Sequence, residues 1–185
     1  MLGTLVPEER ALLDQLVARL SKHGYEVSVD GDATARTGKS GAVHKLDVVA
    51  TRDDGFMAYT VALEVGSANG SGALGLGAVF AFDDKCYDCG IRDKVFVAFP
   101  SLDGVAERFA QNQRIRVFDA ERLNGLLATP GPSALPESTS ITTWSSSDGV
   151  MVSLAALGYR IQRNASLKGR SGAEYTFDAL ATYDD

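Results

Sequence analysis

The chain is short of the residues from which several kinds of site are made. It has two histidines, His23 and His44, and two cysteines, Cys86 and Cys89. Two cysteines make no disulfide framework, and a structural zinc site needs four ligands. The lone Cys86-Tyr87-Asp88-Cys89 therefore reads first as two small residues at the end of a core helix. A redox dithiol, or a four-cysteine site shared by two chains, is the sharper alternative. Basic residues are also scarce: 18 Lys and Arg stand against 24 Asp and Glu, a formal net charge of −6. Sequence-independent phosphate binding needs clustered cations, so a generic DNA coat is disfavoured, though a local basic patch is not. The first ten residues contain neither the basic nor the apolar region of a secretory leader. No stretch approaches the roughly 20 apolar residues that span a bilayer. A soluble, cytoplasmic protein is the expectation. The glycine-rich segment from Gly66 to Gly77 lacks the Gly-Lys-Ser/Thr ending of a P-loop. It also lacks the acidic partner of a dinucleotide fingerprint, and it reads as a mobile loop.

What is present is enough apolar material, 45% of 185 residues, to build a sizeable core. That length suits one large domain, or one domain with an additional piece. Pro7 to His23 has leucines and valine at helical spacing (Leu12, Leu13, Leu16, Val17, Leu20), with Glu8 and Glu9 in the first turn and Gly24 as a stop. A strand is expected over Tyr25–Val29, a polar loop over Gly31–Gly41, and strands over Leu46–Thr51 and Met57–Val65. The turn residues Arg52-Asp53-Asp54-Gly55 join the last two as a hairpin. Helices over Ala78–Tyr87, Asp103–Asn112 and Ala120–Leu127 alternate with strands over Lys94–Phe99 and Ile115–Phe118. A hairpin feeding an alternating section predicts an α/β fold, with a mixed β-sheet flanked by helices.

Thr129 to Ser147 breaks this pattern. It holds Pro130, Pro132 and Pro136 in a Ser/Thr-rich run, which is the composition of a linker. Beyond it the sequence starts again. Gly24-Tyr25-Glu26-Val27 is echoed by Gly158-Tyr159-Arg160-Ile161, and residues 40–54 are echoed by 171–185 with eight of the fifteen positions identical. The stretch between these anchors is three residues shorter the second time. Repetition of this kind marks duplication. The expected organisation is a domain over 1–128, a linker over 129–147, and a partial second copy over 148–185 comprising a helix, a strand and the start of a hairpin. An open sheet edge in that copy needs pairing or covering, so self-association is one expectation.

Asp47 and Glu64 are equidistant from a turn centred between Gly55 and Phe56, where the turn residues fall. The hairpin should set the two carboxylates opposite each other, with Cβ atoms on the order of 5 Å apart. A divalent cation relieves the repulsion of such a pair. Mg²⁺ binds one or two carboxylates plus waters and phosphate oxygens, and can then activate water for phosphodiester hydrolysis.

The Asp, the hairpin, the strand carrying Glu64 and the helix after it resemble the PD-(D/E)XK nuclease superfamily. The closest likeness is to the type IV, Mrr-like restriction endonucleases, over roughly residues 7 to 127. Ser40-Gly41, His44 and Asp47 before the hairpin are part of it, as is the closing helix–strand–helix–strand–helix series. The resemblance implies a restriction-endonuclease-like fold with an αβββαβ core. It implies that Asp47 and Glu64 bind Mg²⁺ as metal and catalytic residues, and that DNA is the partner. The family's lysine, two residues after the acid, helps the attacking water, and that position is Gly66 here. Lys85, Lys45 and Lys39 are the candidates for a displaced lysine. Arg36, Lys39 and Lys45, with Lys168 and Arg170 at the equivalent loop of the repeat, are candidates for phosphate contact. Two readings follow. One is a DNA-interacting, Mg²⁺-dependent endodeoxyribonuclease. The other is a catalytically inactive nuclease fold serving self-association or protein contacts, which the missing lysine and the acidic charge favour.

Overall fold

The computed structural model describes residues 2, 5–55, 57–68, 72–129, 147–169 and 171–182. These fall in two compact units. The first contains α1 (Pro7–Lys22), β1 (Glu26–Val29), a 3₁₀ turn (Gly31–Thr34), β2 (Ala35–Thr37), β3 (Val43–Lys45), β4 (Val48–Asp53), β5 (Ala58–Ser67), α2 (Leu76–Cys89), β6 (Asp93–Phe99), α3 (Gly104–Asn112), β7 (Ile115–Phe118) and α4 (Ala120–Ala128). The second contains α5 (Ser147–Ala156), β8 (Arg160–Lys168) and β9 (Glu174–Thr182).

The first unit is built on a five-stranded mixed sheet of order β1-β4-β5-β6-β7. β4 pairs antiparallel with β1 and β5, while β5–β6 and β6–β7 are parallel. Successive residues of a strand point to opposite faces. Val49, Ala62 and Phe96 pack with Val79, Phe82 and Cys86 of α2 and with Ala106 and Ala110 of α3. Val48, Leu63 and Val97 pack with Leu13 and Leu16 of α1 and with Leu123 of α4. Both faces are therefore covered, which is why β6 reads as an almost unbroken apolar run. Each fully buried large side chain, such as Phe82 or Leu13, contributes roughly 1.5–3 kcal/mol.

The helix ends follow local chemistry. Glu9 accepts the Val6 backbone N–H at 3.2 Å. Asp103 accepts from Val105 and Ala106 at the start of α3, and Asp119 from Arg122 at the start of α4. α2 stops at Gly90, whose φ of 71° is left-handed.

Two segments differ from the sequence expectation. Gly31–Gly41, expected as a loop, holds the 3₁₀ turn and β2, and β2 pairs antiparallel with β3. Three-residue strands carry too little alternation to register as a pattern. In the glycine-rich region, β5 runs on to Ser67 and α2 begins at Leu76 rather than Ala78. Between them Leu74 is tied to the segment after β6: its N–H donates to Ser101 O, and its carbonyl accepts from Asp103 N, both at 2.9 Å. Residues 130–146, the bulk of the expected linker, lie outside the described residues, as does Arg170.

In the second unit β8 and β9 form one long antiparallel ladder, with α5 packed against β8. Its backbone matches particular positions of the first unit. Gly158, Asn164 and Gly172 have φ values of 91°, 48° and 83°; Gly24, Asp30 and Gly41 have 79°, 53° and 87°. Tyr159 N donates to Leu154 O at 3.0 Å, as Tyr25 N does to Leu20 O at 3.2 Å. Gly169 N donates to Ala173 O at 2.8 Å, as Gly38 N does to Ala42 O at 2.8 Å. The registers correspond too. Arg160↔Thr182 through Arg163↔Ala179 match Glu26↔Thr51 through Val29↔Val48, and Ser166↔Thr176 through Lys168↔Glu174 match Ala35↔Lys45 through Thr37↔Val43. Where the first unit has Asp30–Thr34, including the 3₁₀ turn, the second has only Asn164-Ala165, so what is two short ladders in the first unit is one ladder here. No helix among the described residues is long and apolar enough to cross a membrane.

Candidate active site

Asp47 lies in the junction between β3 and β4, and Glu64 lies on β5. The β4–β5 ladder runs from Asp53↔Ala58 to Val48↔Leu63. One further step in that register sets Asp47 against Glu64. The Asp47 side chain is buried, and its Oδ2 accepts the Val65 backbone N–H at 2.8 Å. The backbone around it is braced from the 3₁₀ turn. The buried Thr34 hydroxyl donates to Leu46 O at 2.6 Å, and Asp30 N donates to Asp47 O at 2.8 Å.

Glu64 is mostly buried. Its Oε1 accepts from Lys85 Nζ at 2.7 Å, and its Oε2 is buried without a hydrogen-bond partner. Burial pushes its pKa above the ordinary value, and the Asp47 charge adds to the rise, against the lowering effect of the Lys85 hydrogen bond and charge. An orphaned, buried carboxylate oxygen beside a second carboxylate fits a hard divalent cation, which takes oxygen ligands. Two carboxylates suffice for Mg²⁺ with waters and phosphate, although no group of three or more His, Cys, Asp or Glu ligands occurs among the described residues.

Of the three candidate lysines, the structure brings Lys85 to Glu64. Lys85 also donates to Lys45 O at 3.2 Å. The Lys45 ammonium turns instead to Asp32 at 3.0 Å. Lys39 sits in the β2–β3 turn, with its backbone N–H on Asp88 O at 2.9 Å. One Arg36 guanidinium nitrogen bonds to the Ala33 and Ala35 carbonyls. Gly66, two residues after Glu64, has little room for a side chain: a Cβ there would lie 2.6 Å from Leu74 Cδ1 and 3.1 Å from the Phe96 ring.

Asp88, not singled out from the sequence, organises the other end of this region. It accepts from Ser40 N at 2.9 Å and from Ser40 Oγ at 2.5 Å, and it meets His44 Nε2 at 2.7 Å. Those bonds, Ser40's hydroxyl foremost and then His44's ring, hold its carboxyl down to about 2. His44 is thus a partner of Asp88. The available signal was spacing: Lys85 and Asp88 are three apart and share a face of α2. Glu9 was missed as well; Ser67 Oγ donates to its carboxylate at 3.1 Å. Cys86 is core, its thiol pushed up to about 12 chiefly by burial, and Cys89 is raised for the same reason. Burial of this kind leaves little reactive thiolate on either residue near neutral pH.

No protein-family model matches the chain, and no curated protein is significantly similar to it. Among solved structures it is similar to a protein of unknown function, AF1548, at 20% identity and a TM-score of 0.48, over 60% of this chain and 63% of that one. It is also similar to the DNA modification-dependent restriction endonuclease AspBHI, at 16% identity and TM-score 0.44, over 66% of this chain and 35% of that one. A third is Can2 from Sulfobacillus thermosulfidooxidans, solved with cyclic tetra-adenylate, at 14% identity and TM-score 0.45, over 64% and 32%. The chain thus spans less than two thirds of each of these three structures.

Proposed function

We propose that the first unit is a restriction-endonuclease-like, Mrr-type nuclease domain that hydrolyses DNA phosphodiesters with Mg²⁺, and that the second unit is a partial copy of its first half. The observation that carries the nuclease reading is the Lys85–Glu64 contact beside Asp47, with Glu64 Oε2 left over for a cation. Asp47 and Glu64 would hold Mg²⁺, which when bound supplies Lewis-acid stabilisation and a more acidic water. The Val65 N–H fixes the Asp47 carboxylate for that role. Lys85 carries out from α2 the task its family position cannot: its ammonium keeps positive charge where the attacking water is deprotonated and the phosphate gains charge. Arg36, Lys39 and Lys45, around the β2–β3 hairpin, contact the phosphate backbone. The partial-copy reading is supported by the shared left-handed positions, turn bonds and registers of the two units.

The test is cleavage of plasmid, linear and single-stranded DNA with Mg²⁺ or Mn²⁺. Asp47→Ala and Lys85→Ala should each lower the rate by about 10²-fold or more. Cleavage that survives Asp47→Ala, or none with any of these substrates, overturns the catalytic reading. The second reading, an inactive nuclease fold used for protein contacts, is favoured by the net charge of −6 and by Gly66. It predicts no cleavage with an intact fold.

A further inference from the structure

β9 corresponds to β3 and β4 of the first unit run together. β4 is flanked on both sides, by β1 and β5. β9, among the described residues, pairs with β8 alone. Long strand edges in native proteins are blunted by Lys, Pro or bulges because bare N–H and C=O groups recruit other strands. β8 carries such charges at Arg160, Arg163 and Lys168, whereas β9 has no Lys, Arg or Pro from Glu174 to Thr182. The apolar side chains Leu167, Tyr175 and Phe177 are exposed, and the pairings Leu167↔Tyr175 and Ala165↔Phe177 set them on one face. A two-stranded sheet alone is marginal in water, and three strands or a covering helix stabilise it.

We infer that the edge of β9 away from β8, unpaired among the described residues, is a docking site for an antiparallel strand with the chemistry of β5. This rests on reading the second unit as a partial copy of the first. The equivalence of registers says which residues would meet. In the first unit Val48, Val49, Ala50 and Thr51 face Leu63, Ala62, Val61 and Thr60. The same places in β9 are Ala179, Leu180, Ala181 and Thr182, again aliphatic residues closed by threonine. The fitting strand is therefore aliphatic and β-branched over four positions, and uncharged both there and opposite Asp178. A second β9 fits poorly. Its only charges are Glu174 and Asp178, and full antiparallel overlap sets Asp178 against Asp178, a like-charge pair that destabilises a sheet. The site is not a second copy of the Asp47 centre by itself. Asp178 is exposed in a continuous strand, and the residues that brace Asp47 are replaced by Asn164-Ala165.

The test is amide hydrogen exchange on the full chain, titrated with a peptide of residues 57–67 carrying Glu64→Gln, which removes the like charge opposite Asp178. Docking should slow exchange of alternate amides within Ala179–Thr182 about tenfold or more, and a peptide carrying Val61→Lys and Leu63→Lys should not. Three outcomes overturn the inference: no β9 protection at saturating peptide, equal protection by the Lys-substituted peptide, or stronger protection by a peptide of residues 174–182. Exchange in the free chain separates this from the underlying reading. If the protected amides show a β8–β9 register other than Arg160↔Thr182, the partial-copy reading fails; if they show that register and the peptide changes nothing, only the docking fails.

Discussion

At the scale of single residues, Gly66 and Lys85 bear on one question, which ammonium can sit beside Glu64. A lysine at position 66 would drive its Cβ into Leu74 and the buried Phe96 ring, and Lys85 reaches Glu64 from the neighbouring helix. Gly66→Lys should therefore destabilise the fold, by about 1–3 kcal/mol for forced overpacking. It should not rescue Lys85→Ala. Urea midpoints and cleavage rates of the single and double variants check this; an active, fully stable Gly66→Lys, Lys85→Ala protein would show that the position is open. Neither residue's role was legible from the motif alone. The sequence shows glycine at position 66, but the crowding there comes from side chains eight and thirty positions away.

At the scale of elements, the short segment from Asp30 to Lys45 holds the site from two sides. Thr34 is fully buried and its hydroxyl ties the 3₁₀ turn to the strand just before Asp47. Thr34→Val keeps the shape and leaves the Leu46 carbonyl without that donor, which costs about 1–3 kcal/mol. At the proposed Asp47–Glu64 cation site it should also weaken Mg²⁺ binding, read by calorimetric titration against wild type. At the other side, the β2–β3 turn is held to the end of α2 by Asp88. Its folded pKa of about 2 lies below the ordinary 3.8. The sign is that of a depressed carboxyl: its stabilisation is present above pH about 4 and is lost as the pH falls toward 2. Asp88→Asn should lower Tm at neutral pH, and its Tm should fall less steeply than wild type across that acid window. A parallel pair of Tm–pH curves would refute the clamp. The sequence gives no warning of this device, because β2 and β3 are too short to alternate visibly and their contacts lie on a helix more than forty residues on.

At the scale of the whole molecule, a net charge of −6 sets a bound on nucleic-acid binding. If phosphate contact is confined to Arg36, Lys39 and Lys45, log K should fall with log salt with a slope no steeper than about −3, from roughly −0.9 per neutralised phosphate. A filter-binding or anisotropy titration across salt measures it. A much steeper slope would mean that further cations, such as those of the second unit, take part.

The sequence by itself determined what depends on neighbours along the chain. Helical spacing, turn residues and the symmetry of the β4–β5 hairpin predicted the longer elements in order, without the 3₁₀ turn, β2 or β3, and set Asp47 in register with Glu64, because a ladder's pairing follows from where its turn lies. It also showed the repetition, since the same anchors recur. Only the tertiary structure decided which lysine meets Glu64, how crowded position 66 is, and that Asp88 engages His44. Those contacts join segments that pack across a sheet face, and packing across a face is set by how volumes and hydrogen bonds fit in three dimensions, which no local period in the chain records.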